Sequence, residues 1–208
     1  MMGAAAAVLA GCATTATVSD YADTTPPEAK LYGDFLVGSY ANNIDDAASR
    51  SEYYTRAYKQ AKDDVNLASR AVRSAVAAGD MKAAKGLAQD VLKDHSSEPF
   101  SRAVLGLKAF SAGRHETAET YFETTSQDLT VQILMNLMRG WNAAADKQPE
   151  KARSLFASLG GGGYFDLMGQ LQTANLDVAL GNIDDANAAF DKVETASLSP
   201  IETALSKT

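Results

Sequence analysis

Apolar residues recur along the chain with a period of 34 residues. Four columns share this period, and within each unit they stand at offsets of 0, 3, 4 and 7. That spacing places them on one face of a helix with about 3.6 residues per turn, so the pattern predicts one amphipathic helix in each unit. The columns are Ala84, Ala118, Ala152 and Ala186; Leu87, Tyr121, Leu155 and Ala189; Ala88, Phe122, Phe156 and Phe190, with Tyr54 one period earlier; and Val91, Thr125, Leu159 and Val193.

Turn residues stand just before these helices. Gly79, Gly113 and Gly181 occupy the position where a tight connection between two helices requires a residue that tolerates positive φ. In the fourth unit the segment 147–149, Lys-Gln-Pro, stands there instead and predicts a turn of different chemistry. Seven residues before each turn lies a column of mostly small residues, which would let two helix axes approach closely: Gly38, Val72, Gly106, Gly140 and Ala174.

A small residue, a glycine turn, an alanine and an aromatic residue four positions later together resemble the tetratricopeptide repeat. The pattern covers about residues 31–200 as five units of 34. The resemblance implies an all-α fold, a right-handed α-solenoid of about five helix-turn-helix repeats. We assign residues 28–198 to this repeat domain.

The first helix of each unit departs from that family. A large apolar residue is usual four positions before the small residue, but this chain has Asp34, Ala68, Arg102, Asn136 and Gln170 there. The apolar stripes run instead through Phe100, Ala103, Val104 and Leu107, and through Leu134, Leu137, Met138 and Trp141. Two explanations are open: the first helices are displaced by about one turn, or their apolar side faces the groove of the solenoid.

In tetratricopeptide arrays the first helices build a concave surface that holds extended or helical peptides, and the resemblance implies such a groove here. The alternative is that the same stripes are ordinary core between helices. If they line the groove, an apolar track with a polar end forms the candidate binding site: Phe100, Leu107, Phe110, Leu134 and Trp141, with Asn66, Ser69 and Arg73 at the polar end.

Three segments interrupt the regular pattern. The sequence of residues 43–47 is repeated at 182–186, three residues out of register with four periods, which predicts an insertion near residues 49–51. Four consecutive glycines at 160–163 predict a flexible joint between repeats. Ser199-Pro200-Ile201-Glu202 has the spacing of a capping box, so we expect a C-terminal capping helix to begin within residues 199–208.

The N-terminus has the features of a sorting signal. Residues 3–11 are apolar and end at Leu9-Ala10-Gly11-Cys12, which resembles a bacterial lipobox, although no Lys or Arg precedes the run. The resemblance implies that residues 1–12 are a signal segment and that Cys12, the sole cysteine, carries the lipid. The same resemblance implies that Ala13, in place of an Asp after the cysteine, favours the outer membrane, and residues 13–27 are interpreted as a flexible tether. The alternative is an alanine-rich tail with an incidental cysteine.

Net charge and motif spacing argue against several classes of function. The net charge of −7 argues against nucleic acid as a partner, because phosphate binding needs clustered Lys and Arg. His95 and His115 lack the spacing of metal ligands, and the glycine run lacks the Lys and Ser/Thr of a nucleotide-binding loop. The pairs Asp45-Asp46 and Asp184-Asp185 stand at helix starts, where capping is expected. We therefore expect no enzyme activity, no cofactor, no metal and no nucleotide.

These observations predict a protein-binding scaffold of the bacterial cell envelope. It would be an outer-membrane lipoprotein facing the periplasm, attached through its N-terminal lipid only, and its partner would be a protein or peptide in the groove. One alternative is an adaptor that presents substrates to a periplasmic peptidase or cell-wall enzyme. Another is a cytoplasmic co-chaperone, if the N-terminus is not processed.

Overall fold

The computed structural model describes residues 26–124, 126–160 and 163–205, with side chains described as far as residue 194. Ten helices and no strand lie within these ranges, and they pair into five helical hairpins, as expected for five repeats. No helix in the described ranges is long and apolar enough to cross a membrane. The helices are α1 (Pro27–Asn43), α2 (Ala47–Gln60), α3 (Val65–Ala77), α4 (Met81–Asp94), α5 (Pro99–Phe110), α6 (His115–Phe122), α7 (Leu129–Ala145), α8 (Pro149–Ala157), α9 (Tyr164–Leu180) and α10 (Ile183–Leu205).

The turn inside each hairpin contains one residue with positive φ, and these residues repeat every 34 positions through all five repeats. Gly79, Gly113 and Gly181 have φ values of 74°, 68° and 82°. Asp45 and Lys147 adopt the same conformation, with φ of 59° and 61°. The residues of the turn at Lys147 differ in chemistry from the glycine turns, yet the backbone geometry is the same. The short connection dictates the backbone conformation whether or not a glycine is present.

The two helices of a hairpin meet where the small column faces the aromatic column. Gly106 lies against the ring of Phe122, and Gly140 lies against the ring of Phe156 in the same way. Both rings are fully buried. Gly38 and Tyr54 form the corresponding pair of the first repeat. The second repeat reverses the sizes, with Val72 opposite Ala88, and both residues are buried.

The second helices follow the predicted frame. Their alanine column is buried from the second repeat to the fifth at Ala84, Ala118, Ala152 and Ala186. Three hydrophobic clusters follow one another along the array, and each contains residues from at least two neighbouring repeats. A repeat therefore completes its core only with its neighbours, which is how solenoid arrays are stabilised.

The first helices form the inner side of the array. Successive first helices pack against each other, α3 against α5 and α5 against α7. No pair of successive second helices among the described residues makes a comparable contact. Helices on the inside of a curved array are the more closely spaced, so the first helices line its concave face.

The unusual polar column of the first helices contacts the second helix of the same repeat near its C-terminal end. Asp34 is buried and pairs with Arg56 at 2.9 Å. The Arg102 guanidinium donates to the carbonyl oxygens of residues 120, 121 and 123 at the end of α6, where the helix dipole favours a positive charge. Asn136 Nδ2 donates to Ser158 Oγ at 3.2 Å. The first helices are thus not displaced by a turn, and their apolar side is free to face the groove.

Two sequence expectations about boundaries are wrong. Asp46 and Asp80 both accept a backbone N–H in the first turn of α2 and α4, and they are 34 residues apart, so no insertion separates the first two repeats. The match between residues 43–47 and 182–186 joins segments that differ in structural position. Likewise, α10 continues through Ser199 and Pro200. No glycine or proline interrupts residues 183–199, so the capping-box sequence lies inside an existing helix.

Candidate functional site

The structure places all eight predicted groove residues on the first helices α3, α5 and α7. None of them is fully buried. Asn66, Arg73 and Leu107 are exposed, and the rest of the set is partly buried. Phe100, Phe110 and Trp141 pack against the three successive hydrophobic clusters with part of their surface. One side of Phe100, Phe110 and Trp141 therefore touches core and the other is accessible, and the role of these residues in binding stays a prediction.

An apolar cavity of about 160 Å³ lies between α5 and α7. An apolar cavity of about 150 Å³ can hold a benzene-sized group, so this one has room for a single large aliphatic or aromatic side chain. Three of the predicted residues line it, and sequence reasoning missed the other three as lining residues. Its walls are Leu107, Phe110, Phe122, Leu137, Met138 and Trp141.

Trp141 has a fixed orientation in this cavity wall. Its Nε1 donates to Gln172 Oε1 at 2.9 Å, which joins α7 to α9. Its ring centroid lies 5.5 Å from that of Phe156. The indole is thus held by one hydrogen bond and one aromatic contact, while its remaining face borders the cavity. An anchor that is rigid before binding loses little conformational entropy when a ligand arrives.

The predicted polar end is only partly assembled. Arg73 lies over the ring of Phe100, with Cζ 4.7 Å from the ring centroid. This distance is typical of a cation–π contact and brings the polar end and the apolar track together. Asn66 belongs to the first turn of α3, where its backbone N–H is capped by Asp64. Ser69 is partly buried on the same helix.

Beside this end lies a basic pocket of about 320 Å³, formed by α1, α2 and α3. Sequence reasoning found only Arg73 of its three arginines. Arg50 comes from α2, and Arg70 joins Arg73 on α3. The signal for Arg50 was present, because it stands one period before the buried alanine column that starts at Ala84. The lining residues are Asn42, Arg50, Tyr54, Arg70, Arg73, Ser74 and Ala77.

Two carboxylates at the contacts between neighbouring helices have structural partners. Burial alone would raise the pKa of Glu119, but ion pairs with Arg139 and Lys151 lower it below the usual value. Hydrogen bonds from Arg153 lower the pKa of Asp177, which is buried between α8 and α9. These pairs join neighbouring helices of the array. They stabilise the packing of these helices.

The histidines take part in packing between helices. His95 Nε2 lies 2.8 Å from the Lys62 carbonyl oxygen, and His115 Nδ1 lies 3.0 Å from Asn142 Oδ1. Within the described part of the chain, no group of three His, Cys, Asp or Glu residues is placed to hold a metal ion. Cys12 and the tether to residue 25 lie outside the described residues, as does part of the glycine run.

No protein-family model and no curated protein sequence matches this chain. Two solved structures of MamA do resemble it. MamA 41-end from Desulfovibrio magneticus RS-1 has a TM-score of 0.64 at 14% identity, covering 82% of this chain and 96% of that chain. The fold is similar to that of MamA. The MamA RS-1 ArsTM double mutant gives a TM-score of 0.63 with the same identity and coverage.

The similarity to MamA confirms the predicted fold class, a right-handed, tetratricopeptide-like α-solenoid. At 14% identity the similarity to MamA concerns the fold alone. Solenoid folds of this class commonly present extended concave surfaces to protein partners. The particular residues that bind have to be argued from the groove itself.

Proposed function

We propose that this protein is a scaffold of the bacterial cell envelope that binds a segment of another protein in its concave groove. The apolar cavity between α5 and α7 carries the proposal, because it is an open apolar site on the inner face of a solenoid. The residues that anchor an interface commonly insert into small, well-packed pockets of this kind. An extended or helical segment could place one large apolar side chain in the cavity.

The geometry of Leu107 and Trp141 supports this role. Leu107 lines the cavity from α5 and is 40% exposed, so a bound side chain could cover it. Trp141 is held rigidly across the cavity from it. Buried aromatic anchors in small pockets commonly supply most of the binding energy of an interface. We therefore place the centre of the partner-binding site at this pair.

Site-specific crosslinking tests the proposal. A photoreactive phenylalanine analogue at position 107 should capture a defined partner in living cells, whereas the same analogue at the exposed position Lys82 on α4 should capture none. Trp141→Ala should weaken that capture while the far-UV circular dichroism stays the same. Equal capture from both positions, or capture unchanged by Trp141→Ala, would count against the groove as the binding site.

We further propose that Cys12 carries a lipid that attaches the protein to the outer membrane on its periplasmic side. The lipobox-like residues 9–12 support this, together with the polar segment that follows them. Radioactive palmitate should label the wild type and leave Cys12→Ser unlabelled. An unlabelled wild-type protein would remove the anchor from the proposal and favour a cytoplasmic scaffold. It would leave the groove untouched.

A further inference from the structure

The outward side of α1 is apolar and exposed. Tyr32, Leu36 and Tyr40 are 66%, 64% and 65% exposed. The opposite side of the helix, which contains Gly38 and Ala41, is buried. A helix that is apolar on all sides is usually covered on all sides. α1 packs against α2, and among the described residues no other helix makes a comparable contact with it.

Later first helices use the same side to pack against the second helix of the preceding repeat. Gly169 of α9 lies so close to α8 that a β-carbon on it would stand 2.5 Å from the Phe156 carbonyl oxygen. Asn142 of α7 donates from Nδ2 to the His115 carbonyl oxygen of α6 at 3.0 Å. α8 therefore covers this side of α9, and α6 covers the same side of α7.

The equivalent positions on α1 are Gly33 and Tyr40. Gly33 stands four periods before Gly169, and Tyr40 stands three periods before Asn142. A β-carbon on Gly33 would meet no atom within 4 Å. The Gly33 position is buried in every later repeat, at Leu67, Ser101, Met135 and Gly169. α1 thus presents a surface that elsewhere in the array receives a second helix, and Gly33 leaves room for that helix to approach closely.

The side of α10 that would cover a following first helix is also accessible. Phe190 stands one period after Phe156, and Ile183 stands two periods after His115. Ile183 is 52% exposed. Phe190 is half-buried, although the residue at its position is buried in the four earlier repeats. Neither Phe190 nor Ile183 carries a charge, so α10 offers an uncharged stripe that matches the one on α1.

One pair of opposite charges completes the match. Gln132, in the first turn of α7, donates from Nε2 to the Ser126 carbonyl oxygen, which follows α6, at 2.9 Å. The equivalent positions are Lys30 on α1, three periods before Gln132, and Glu194 on α10, two periods after Ser126. Both side chains are exposed. A helix like α10 placed over α1 would therefore bring a carboxylate to an ammonium group.

We infer that a second copy of this chain covers α1 with its α10, so that copies associate head to tail. The contact continues the packing that joins α6 to α7 and α8 to α9 within one copy. Each copy has a net charge of −7, and the uncharged centre of the contact lets two such copies meet. A contact between two different surfaces leaves both ends of the assembly open, so longer stacks form. The inference does not depend on what the groove binds.

Single-cysteine variants of the full chain test the arrangement. Cys12→Ser removes the sole native thiol, and Lys30→Cys or Glu194→Cys then adds one thiol at the edge of either surface. A mixture of these two variants should form crosslinked dimers with a short bismaleimide, because head-to-tail stacking brings the two positions together. Each variant alone should give little dimer. A mixture of Glu194→Cys with Lys82→Cys, on the exposed side of α4, is the control.

The close approach at Gly33 gives a second test. Gly33→Ala adds a β-carbon where the equivalent Gly169 leaves no room, so it should weaken association at least about tenfold. Gly86→Ala is the matched control, because Gly86 lies on α4 and a β-carbon there would meet no atom within 4 Å. Sedimentation velocity over a range of concentrations measures association, and circular dichroism checks that each variant is folded.

Exchange of the charged pair gives a third test. Lys30→Glu places two carboxylates at the contact and should weaken association about fivefold. Adding Glu194→Lys to the same chain restores a pair of opposite charge, so association should return to within about twofold of the wild type. Failure of the second change to restore association would contradict the pairing of these two positions.

The remaining outcomes are equally decisive. A full chain that stays monomeric up to about 1 mM would overturn the inference. If Lys30→Cys alone forms as much dimer as the mixture, two α1 helices meet about a twofold axis, and head-to-tail stacking is overturned. Equal association of Gly33→Ala and Gly86→Ala would remove the outward side of α1 from the contact. The proposed groove is tested separately, by crosslinking from position 107.

Discussion

The ring of Phe122 lies so close to the backbone of Gly106 that a β-carbon on residue 106 would stand 2.3 Å from Cε1 of the ring. Gly140 and Phe156 have the same relationship, at the same 2.3 Å. A carbon–carbon contact that short cannot exist, so a larger residue would force the ring or the helix to move. In these two repeats the separation of the two helices is therefore set by a glycine and an aromatic ring.

Gly106→Ala should lower the free energy of unfolding by about 1–3 kcal/mol, the usual effect of overpacking a dense core. Gly33→Ala is the matched control. Gly33 lies on α1, and a β-carbon on this residue would meet no other atom within 4 Å, so alanine there should be neutral or stabilise by up to about 1 kcal/mol. Urea denaturation measures both. Equal stabilities would show that the glycine does not set the helix separation.

Phe122→Ala and Phe156→Ala should each lower the free energy of unfolding by ~3–5 kcal/mol, because both rings are buried and truncation leaves a cavity. The second repeat suggests a compensating change. There the larger residue, Val72, lies on the first helix and the smaller one, Ala88, on the second helix, and both are buried. Adding Gly106→Val to Phe122→Ala should therefore restore part of the loss. A change below about 1 kcal/mol at both phenylalanines would contradict the repeat frame.

Lys147→Gly should stabilise the protein by about 1 kcal/mol, because φ of 61° is unfavourable for a residue with a β-carbon. Asp45→Gly should stabilise it less, since Asp tolerates the left-handed region better than Lys. Gly181→Ala at the equivalent turn should destabilise it. Thermal denaturation of the three variants gives the ranking, and a destabilised Lys147→Gly would contradict the geometry of this turn.

Asp177→Asn should reduce stability at neutral pH and flatten its dependence on acid. Hydrogen bonds from Arg153 hold the pKa of Asp177 below its usual value. A carboxyl group with a lowered pKa contributes stability above its unfolded pKa, about 3.9, and loses it as the pH falls through the folded value. The wild type should therefore lose more stability than the variant below about pH 4. Glu150 is exposed, so Glu150→Gln should behave as the wild type does. If the free energy of unfolding falls equally with pH in all three proteins, the contribution predicted for Asp177 is contradicted.

The second helices could be predicted from sequence because their buried positions repeat locally. Ala84 and Phe122 each belong to a column that the chain presents every 34 residues. The turn at Lys147 could not be predicted in this way, because a lysine gives no sign that the backbone requires positive φ. The insertion predicted near residue 50 was wrong. The prediction relied on the identity of residues 43–47 with residues 182–186 and gave too little weight to the helix cap at Asp46.

The candidate site was predictable only in part. Sequence analysis found Leu107, Phe110 and Trp141 because the apolar stripe of a first helix can be recognised within one continuous segment of sequence. The basic pocket was missed because Arg50, Tyr54 and Arg70 come from two different helices and meet only in the folded repeat. The polar column that contains Asp34 and Arg102 departs from the pattern of the family. The fold shows that these two residues contact the second helices near their C-terminal ends.

Arg50 occupies a position where the rest of the array gains stability from a small apolar side chain. Its buried Nε has no acceptor among the described residues, so we expect this arginine to lower the stability of the first repeat. Arg50→Ala should therefore raise the thermal midpoint of unfolding. A lower midpoint in Arg50→Ala would show instead that this arginine supports the fold.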